Sequence, residues 1–206
     1  MVPVRGIMKL TLYMVYSKLF TKAFNSALFY GNFIQWKEVG LMSITFEDMT
    51  VTYGKEILDI FNYYVEHSYA AYLEKTIPYE FAERFIAIPQ DYPAYVIKDS
   101  LDKKVIGFCF LKPYSSLSVF EETAEITYFI KTDQLGKGVG KLALNLLEKE
   151  GRKRGIKKIL ASISSYNESS IQFHLKNGFS ECGKFHDIGK KKGNNFDVVW
   201  MEKAIG

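Results

Sequence analysis

Glu125-Ile126-Thr127-Tyr128-Phe129-Ile130-Lys131-Thr132-Asp133-Gln134-Leu135-Gly136-Lys137-Gly138-Val139-Gly140, running on into Lys141-Leu142-Ala143-Leu144-Asn145-Leu146-Leu147, is the stretch whose reading decides the fold. Glu125–Ile130 is rich in β-branched and aromatic residues, as a strand requires. Three glycines at alternating positions then form a turn, and Leu142, Ala143, Leu146 and Leu147 recur at the spacing of one helix face. The local order is strand, glycine-rich turn, helix. Glycines leave backbone amides unobstructed, and the amides opening a helix lack intrahelical partners and sit at the positive end of its dipole. Gly136 to Gly140 therefore predicts an anion cradle suited to a pyrophosphate, with a purely structural turn as the equal alternative on this evidence. Two other phosphate motifs do not fit. Gly136 and Gly140 enclose only Lys137-Gly138-Val139, and Lys141 is followed by Leu142, so the pattern G-x-x-x-x-G-K-[ST] is absent. The dinucleotide fingerprint lacks its third glycine, because Lys141 stands there.

Working outward, Ile57, Ile60, Phe61, Tyr64 and Val65 predict a helix over about 55–67. A second helix is expected after Pro78, carrying Phe81, Phe85 and Ile86 until Pro89 stops it. Ala94–Lys98, Val105–Leu111 and Glu125–Ile130 read as successive antiparallel strands, with a turn at Asp99–Lys103. After the glycine turn, Gly155 caps the long helix and Ile159–Ile163 returns as a strand. Asn167 is an N-cap for a helix whose Ile171, His174 and Leu175 share a face, and Phe179–Cys182 and Phe196–Met201 complete the strands. Alternating periods of this kind predict an α/β (α+β) layer structure: a mixed, mostly antiparallel sheet that opens into a V between the strands ending at Ile130 and Ile163.

The 206 residues supply one sizeable domain, at 48% hydrophobic content. The formal charge of +4 comes from residues 1–42, where Arg5, Lys9, Lys18, Lys22 and Lys37 face only Glu38; residues 43–206 balance. No field of one sign covers the body of the chain, and the clusters at Arg152–Lys158 and Lys190–Lys192 lack interleaved aromatics, so no nucleic-acid partner is expected. Lys18 and Lys22 interrupt the apolar run from Leu10 to Ile34, which argues against a membrane span. Arg5, Lys9 and Leu10–Tyr16 are weakly signal-like, without a clean small-residue cleavage site. We read residues 1–42 as an extension upstream of a natural start at Met42, and residues 43–206 as the functional domain; an amphipathic arm is the alternative. Cys109 and Cys182, both expected to be buried, suggest no disulfide framework and hence a reducing, cytoplasmic compartment. Zinc spacings and H-E-x-x-H are absent, and no metal is expected.

Gln134-Leu135-Gly136-Lys137-Gly138-Val139-Gly140 after a strand, with Asn167 and Gly178-Phe179 downstream, resembles the acetyl-CoA-binding core of the GNAT superfamily of N-acetyltransferases. Thr123-Ala124-Glu125, Asp133-Gln134, Asn167-x-x-Ser170-Ile171-x-x-His174 and Ile188-Gly189-x-Lys191-x-Gly193-x-x-x-Asp197 are similar, more narrowly, to the phosphinothricin and methionine sulfoximine N-acetyltransferases, over about residues 43–203. Leu135 departs from the Arg or Gln usual before the first glycine; a cradle built from amides tolerates that change.

The resemblance implies that Tyr128, Phe129 and Ile130 offer backbone groups to the pantetheine arm of acetyl-CoA. It implies further that Gly136, Lys137, Gly138, Val139, Gly140 and Lys141 hold the pyrophosphate and that Asn167 bonds the cofactor near its acetyl end. Asn167 serves equally as a helix cap, and the two roles are compatible. An acceptor amine is mostly protonated at neutral pH, so a base is needed; Glu125 matches the family's catalytic glutamate, acting directly or through a water. A backbone amide near Phe129 would meet the oxyanion. For the leaving thiolate, His174 stands where many relatives carry a tyrosine, with Tyr166 as a nearby spare; a satisfied core histidine is the bland reading. Neither metal nor acyl-enzyme is required.

Tyr72, Glu74, Tyr114 and Lys191 are the expected acceptor-side residues. The family's aromatic-Arg-x-aromatic stretch is replaced by Tyr114-Ser115-Ser116-Leu117, without the arginine, which argues against phosphinothricin itself as acceptor. Lys191 is read as holding an acidic group, or as a solvated surface lysine. The resemblance also implies a homodimer. The leading expectation is an acetyl-CoA-dependent N-acetyltransferase acting on a small amino-acid-like amine. A protein N-terminus is one alternative. A polyamine, hinted at by Glu121-Glu122 beside Glu125, is another, and a non-catalytic CoA-binding module is the third.

Overall fold

The computed structural model describes residues 44–206, so the expected extension over residues 1–42 lies outside the described residues. Seven strands form one sheet in the order β1-β2-β3-β4-β5-β7-β6: β1 (Ile44–Asp48), β2 (Ala94–Asp99), β3 (Val105–Pro113), β4 (Thr123–Ile130), β5 (Lys158–Ser164), β6 (Ser180–Lys191) and β7 (Asn194–Ala204). Every neighbouring pair is antiparallel except β4 and β5. The helices are α1 (Gly54–His67), α2 (Ala82–Ile86), α3 (Val139–Lys153) and α4 (Glu168–Lys176). The mixed, mostly antiparallel sheet flanked by helices is the expected architecture.

Strand β3 explains the layering. Val105 through Leu111 are all buried, as in a strand covered on both faces. Phe108 and Phe110 pack with Ile57, Leu58 and Ile60 of α1, whereas Cys109 and Leu111 pack with Val139, Ala143, Leu144 and Leu147 of α3. Burying one such side chain contributes about 1.5–3 kcal/mol, so two cores of this size hold α1 and α3 firmly against opposite faces. Helix α3 ends where Gly155, at φ 86°, lets the chain turn back, and Ile156 N–H closes onto the Gly151 carbonyl at 3.0 Å.

Several expectations need correction. The buried face of α3 uses Leu144 in place of Leu142, which is 46% exposed, because its stripe runs through positions 139, 143, 144, 147 and 151. Leu175 is exposed, while Phe173 packs beside Ile171 on the core. The helix expected from Pro78 to Pro89 is a short 3₁₀ turn, Tyr79–Phe81, followed by the five residues of α2. Cys182 is exposed, since β6 is an edge strand. That strand runs three times as far as the four residues expected. Its solvated outer position removes the apolar alternation that betrays a strand, and two register shifts scramble what is left.

Candidate active site

Strands β4 and β5 pair only through Thr123–Lys158, Ala124–Ile159 and Glu125–Leu160, and then diverge. The expected V is therefore present, and Glu125 is the last paired residue before it opens. Beyond Glu125 the β5-facing edge of β4 has no strand partner among the described residues. The gap is part of a cleft of about 1070 Å³ lined by β4, β5, the segment 68–77 after α1, the glycine turn and α4. Alternation along β4 places Glu125, Thr127 and Phe129 on the α1 face and Tyr128 and Ile130 on the α3 face. Because the sheet is split, Glu125 and the glycine turn nevertheless line the same cleft.

At the turn, Gly136 and Gly138 have φ of 74° and 84°, a left-handed backbone that side chains with a Cβ avoid, and a Cβ on either would meet nothing within 4 Å. Gly138 caps α3, and Leu142 N–H is the amide that first bonds back, to the Gly138 carbonyl at 3.2 Å. Val139, Gly140 and Lys141 amides thus open the helix without intrahelical partners. Gly136, Gly138, Gly140 and Lys141 line the cleft. Val139 instead buries its side chain in the core, and Lys137 reaches back to Gln134 Oε1 at 3.3 Å. Free amides, a helix N-terminus and the unpartnered edge of β4 together fit a pyrophosphate-bearing, extended ligand.

The carboxylate of Glu125 faces a partner the sequence did not suggest. Lys112 stands directly opposite it across the β3–β4 register, with Nζ 2.7 Å from Oε2. Among the described residues, Lys112, Glu125 and Lys141 are the only Lys, Arg, Asp or Glu residues lining the cleft. Tyr72 closes this end: burial raises its pKa, an effect that the neighbouring Ser162 side chain opposes and the Glu125 charge reinforces. Phe61, Phe85 and Phe110 supply apolar wall.

On the other face, Tyr128 hydroxyl meets His174 Nε2 at 2.6 Å, while His174 Nδ1 lies 2.7 Å from the Ser170 carbonyl. A carbonyl only accepts, so Nδ1 carries the proton and Nε2 accepts from the tyrosine. Burial lowers the pKa of His174, which is 3% exposed, and raises that of Tyr128. A neutral imidazole with this tautomer has no proton to release at Nε2, so His174 does not stand ready as an acid; it fixes Tyr128. Asn167 caps α4 through Oδ1, accepting from Ser170 N–H at 3.3 Å, and lines the cleft as well. Tyr166 also lines the cleft and donates to the Asn195 carbonyl at 3.1 Å. The Ile130 carbonyl accepts from Tyr64 hydroxyl, so that backbone group is already occupied.

Three expected acceptor residues lie outside the cleft lining. Tyr114 packs edge-on against Phe120 and Trp200. Glu74 accepts from Lys192 N–H at 3.1 Å. Lys191 is fully buried, its Nζ donating to the carbonyls of Ser68 and Ala71, each at 2.7 Å, so neither solvation nor an acidic ligand occupies it. Lys192 and Gly193, both at positive φ, form the two-residue β6–β7 turn that delivers Lys191 there. Asn194 Nδ2 donates to Tyr69 hydroxyl at 3.1 Å, and Asn62 bonds both backbone groups of Ile77. The segment that carries Tyr72 is thus clamped from two sides. Glu121 and Glu122, the residues that hinted at a polyamine, do not line the cleft.

The model of the Acetyltransferase (GNAT) family matches residues 57–179. An L-methionine sulfoximine/L-methionine sulfone acetyltransferase of Pseudomonas paraeruginosa is 31% identical over 165 residues, covering 78% of this chain and 94% of that protein. A phosphinothricin N-acetyltransferase of Streptomyces coelicolor is 25% identical over 154 residues, covering 73% of this chain and 90% of that one. Among solved structures, a phosphinothricin acetyltransferase from Sinorhizobium meliloti, in complex with AcCoA, superposes with a TM-score of 0.74 at 27% identity, covering 80% of this chain and 90% of that chain.

Proposed function

Since the chain belongs to the GNAT family of acetyltransferases, we propose that it moves the acetyl group of acetyl-CoA to the amine of a small amino-acid-like compound, with Glu125 as general base. The observation that carries this reading is the single cleft shared by the Glu125 carboxylate and the amides of the glycine turn. In this reading the amides of Gly136 to Lys141 receive the pyrophosphate. The open edge of β4 from Tyr128 onward pairs with the extended pantetheine arm, and Asn167 bonds near its acetyl end. Glu125 takes the proton from the acceptor ammonium, directly or through a water, and the freed amine attacks the thioester carbonyl. The β3–β4 register turns the Phe129 amide toward Phe108, so in this reading the Tyr128 amide, on the open edge, meets the oxyanion that forms there. The departing thiolate takes the proton that the newly acylated nitrogen sheds; Tyr128, whose hydroxyl hydrogen is donated to His174 Nε2, lines the cleft, and His174, which holds that ring in place, is a positioning residue. Pairing of two chains, implied by the family, is part of the same proposal and is checked by light scattering in solution.

The test is release of CoA thiol from acetyl-CoA across amino acids, methionine sulfoximine and polyamines. Glu125→Gln is expected to lower kcat/KM by about 10²–10⁴ while acetyl-CoA binding, read by calorimetry, is unchanged. Turnover of amino acids by Glu125→Gln at the wild-type rate would sink the role of Glu125. Acetyl-CoA binding by wild type without turnover of any amine would favour a non-catalytic CoA-binding module.

A further inference from the structure

Lys112 poses a physical problem for the site as described. A protonated amine approaching Glu125 meets an ammonium already seated 2.7 Å from the same carboxylate. The two side chains of this pair are only 33% and 16% exposed, so water screens their charges weakly. Bringing a second cation to one carboxylate in such a place is repulsive, and displacing Lys112 without giving it a new anion strands a charge in the cleft. Among the described residues, no carboxylate other than Glu125 lines the cleft to receive it. The acceptor itself can solve this if it carries an anion one carbon away from its amine. The single pair Lys112–Glu125 then opens into two, ammonium with Glu125 and carboxylate with Lys112, and no charge is left alone.

We propose that Lys112 is the specificity residue of the acceptor site: it binds the α-carboxylate of a free α-amino acid, and so selects zwitterionic acceptors over amines that lack a carboxylate. This deepens the reading of Glu125 as base and rests on it. Phe110, two residues earlier on the same face of β3, together with Phe61, Phe85 and Tyr72, gives the acceptor's side chain an apolar wall, so large apolar α-amino acids fit best.

The experiment compares kcat/KM for L-phenylalanine with that for phenethylamine, and for L-methionine with 3-(methylthio)propylamine, in wild type, Lys112→Met and Lys112→Arg. Wild type is expected to prefer each amino acid by about 10- to 100-fold, the worth of one charged hydrogen-bonded contact. Lys112→Met is expected to bring the ratio close to one, mainly through the KM of the amino acid, with the KM of acetyl-CoA unchanged; Lys112→Arg is expected to keep the preference. Should Lys112→Met fail to fold, Lys112→Gln removes the same charge and reads the same ratio. A preference that survives removal of the charge overturns the proposal, as does equal use of amino acid and amine by wild type. Those results leave Glu125 untouched, whereas loss of the base role would appear as unimpaired turnover in Glu125→Gln.

Discussion

Replacing Lys191 by Met tests whether the β6–β7 turn holds the acceptor side of the cleft. Its ammonium is fully buried and donates to two carbonyls, Ser68 and Ala71, at 2.7 Å each. A hydrogen bond from a charged donor contributes about 1.5–3 kcal/mol net, and two are lost. Opposing this is the cost of burying the charge, which pushes the lysine's pKa below its ordinary value, with the neighbouring Lys192 adding to the effect and Glu74 opposing it. Methionine fills much the same volume, so no large cavity adds to the loss. The balance is a destabilisation of about 2–3 kcal/mol, which for a domain of this size lowers Tm by about 5–10 °C. The segment released is the one that brings Tyr72 to the cleft, so the KM for the amine should rise about tenfold, as expected when one ordered contact is lost. The KM for acetyl-CoA should stay where it is, because the glycine turn lies at the other end. Scanning calorimetry and initial rates with each substrate varied in turn measure both effects. A variant that melts within about one degree of wild type and keeps its acceptor KM would refute the clamp.

Gly138→Ala imposes a Cβ at φ 84° where nothing crowds it, so its cost is conformational, about 1–2 kcal/mol. Acetyl-CoA affinity by calorimetry should fall about tenfold for that energy, whereas Gly183→Ala, with no positive φ and open space around it, should change nothing. Burial lowers the pKa of His174, so the folded state binds fewer protons than the unfolded chain between the two pKa values. The stability tied to this group is complete above the ordinary histidine pKa, about 6.5, and is lost as pH falls below it, by at most about 1.4 kcal/mol per pH unit. Thermal unfolding between pH 5 and 7.5 should show a shallower acid-side decline in His174→Gln; an identical slope would remove His174 as its source.

Helices α1 and α3 and most of the strands could be read from the string because each carries its own period: Ile57, Ile60 and Val65 on one helix face, and the unbroken apolar run of a doubly covered strand in β3. The charged pair at the heart of the cleft could not. Lys112 follows that apolar run and looks like the start of a loop, and only the register of β3 against β4 sets it opposite Glu125. Nothing in the nine residues 114–122 between the strands announces that register. Lys191 stands in a recognisable motif, yet its role is not legible there, because whether a lysine meets a ligand or two carbonyls depends on where a distant segment, Ser68 to Ala71, comes to lie.

Strand alternation, applied strictly, argues against joining Glu125 and the glycine turn in one site. Glu125 points toward α1, and the helix that follows the glycines covers the opposite face. On a continuous sheet those features would be separated by a full layer of backbone. What reconciles them is that β4 and β5 are a parallel pair, zipped over three residues and then apart. A two-sided cleft follows, with the α3 face offering free amides and an unpaired strand edge and the α1 face offering a carboxylate with a lysine already bound to it. On the proposed function, donor and acceptor enter from opposite faces and meet at the gap. Gly136 to Lys141, which shape one entrance, and Lys112 with the clamped segment behind Tyr72, which shape the other, lie on different elements, so a substitution on one side is expected to change the KM of one substrate and leave that of the other unchanged.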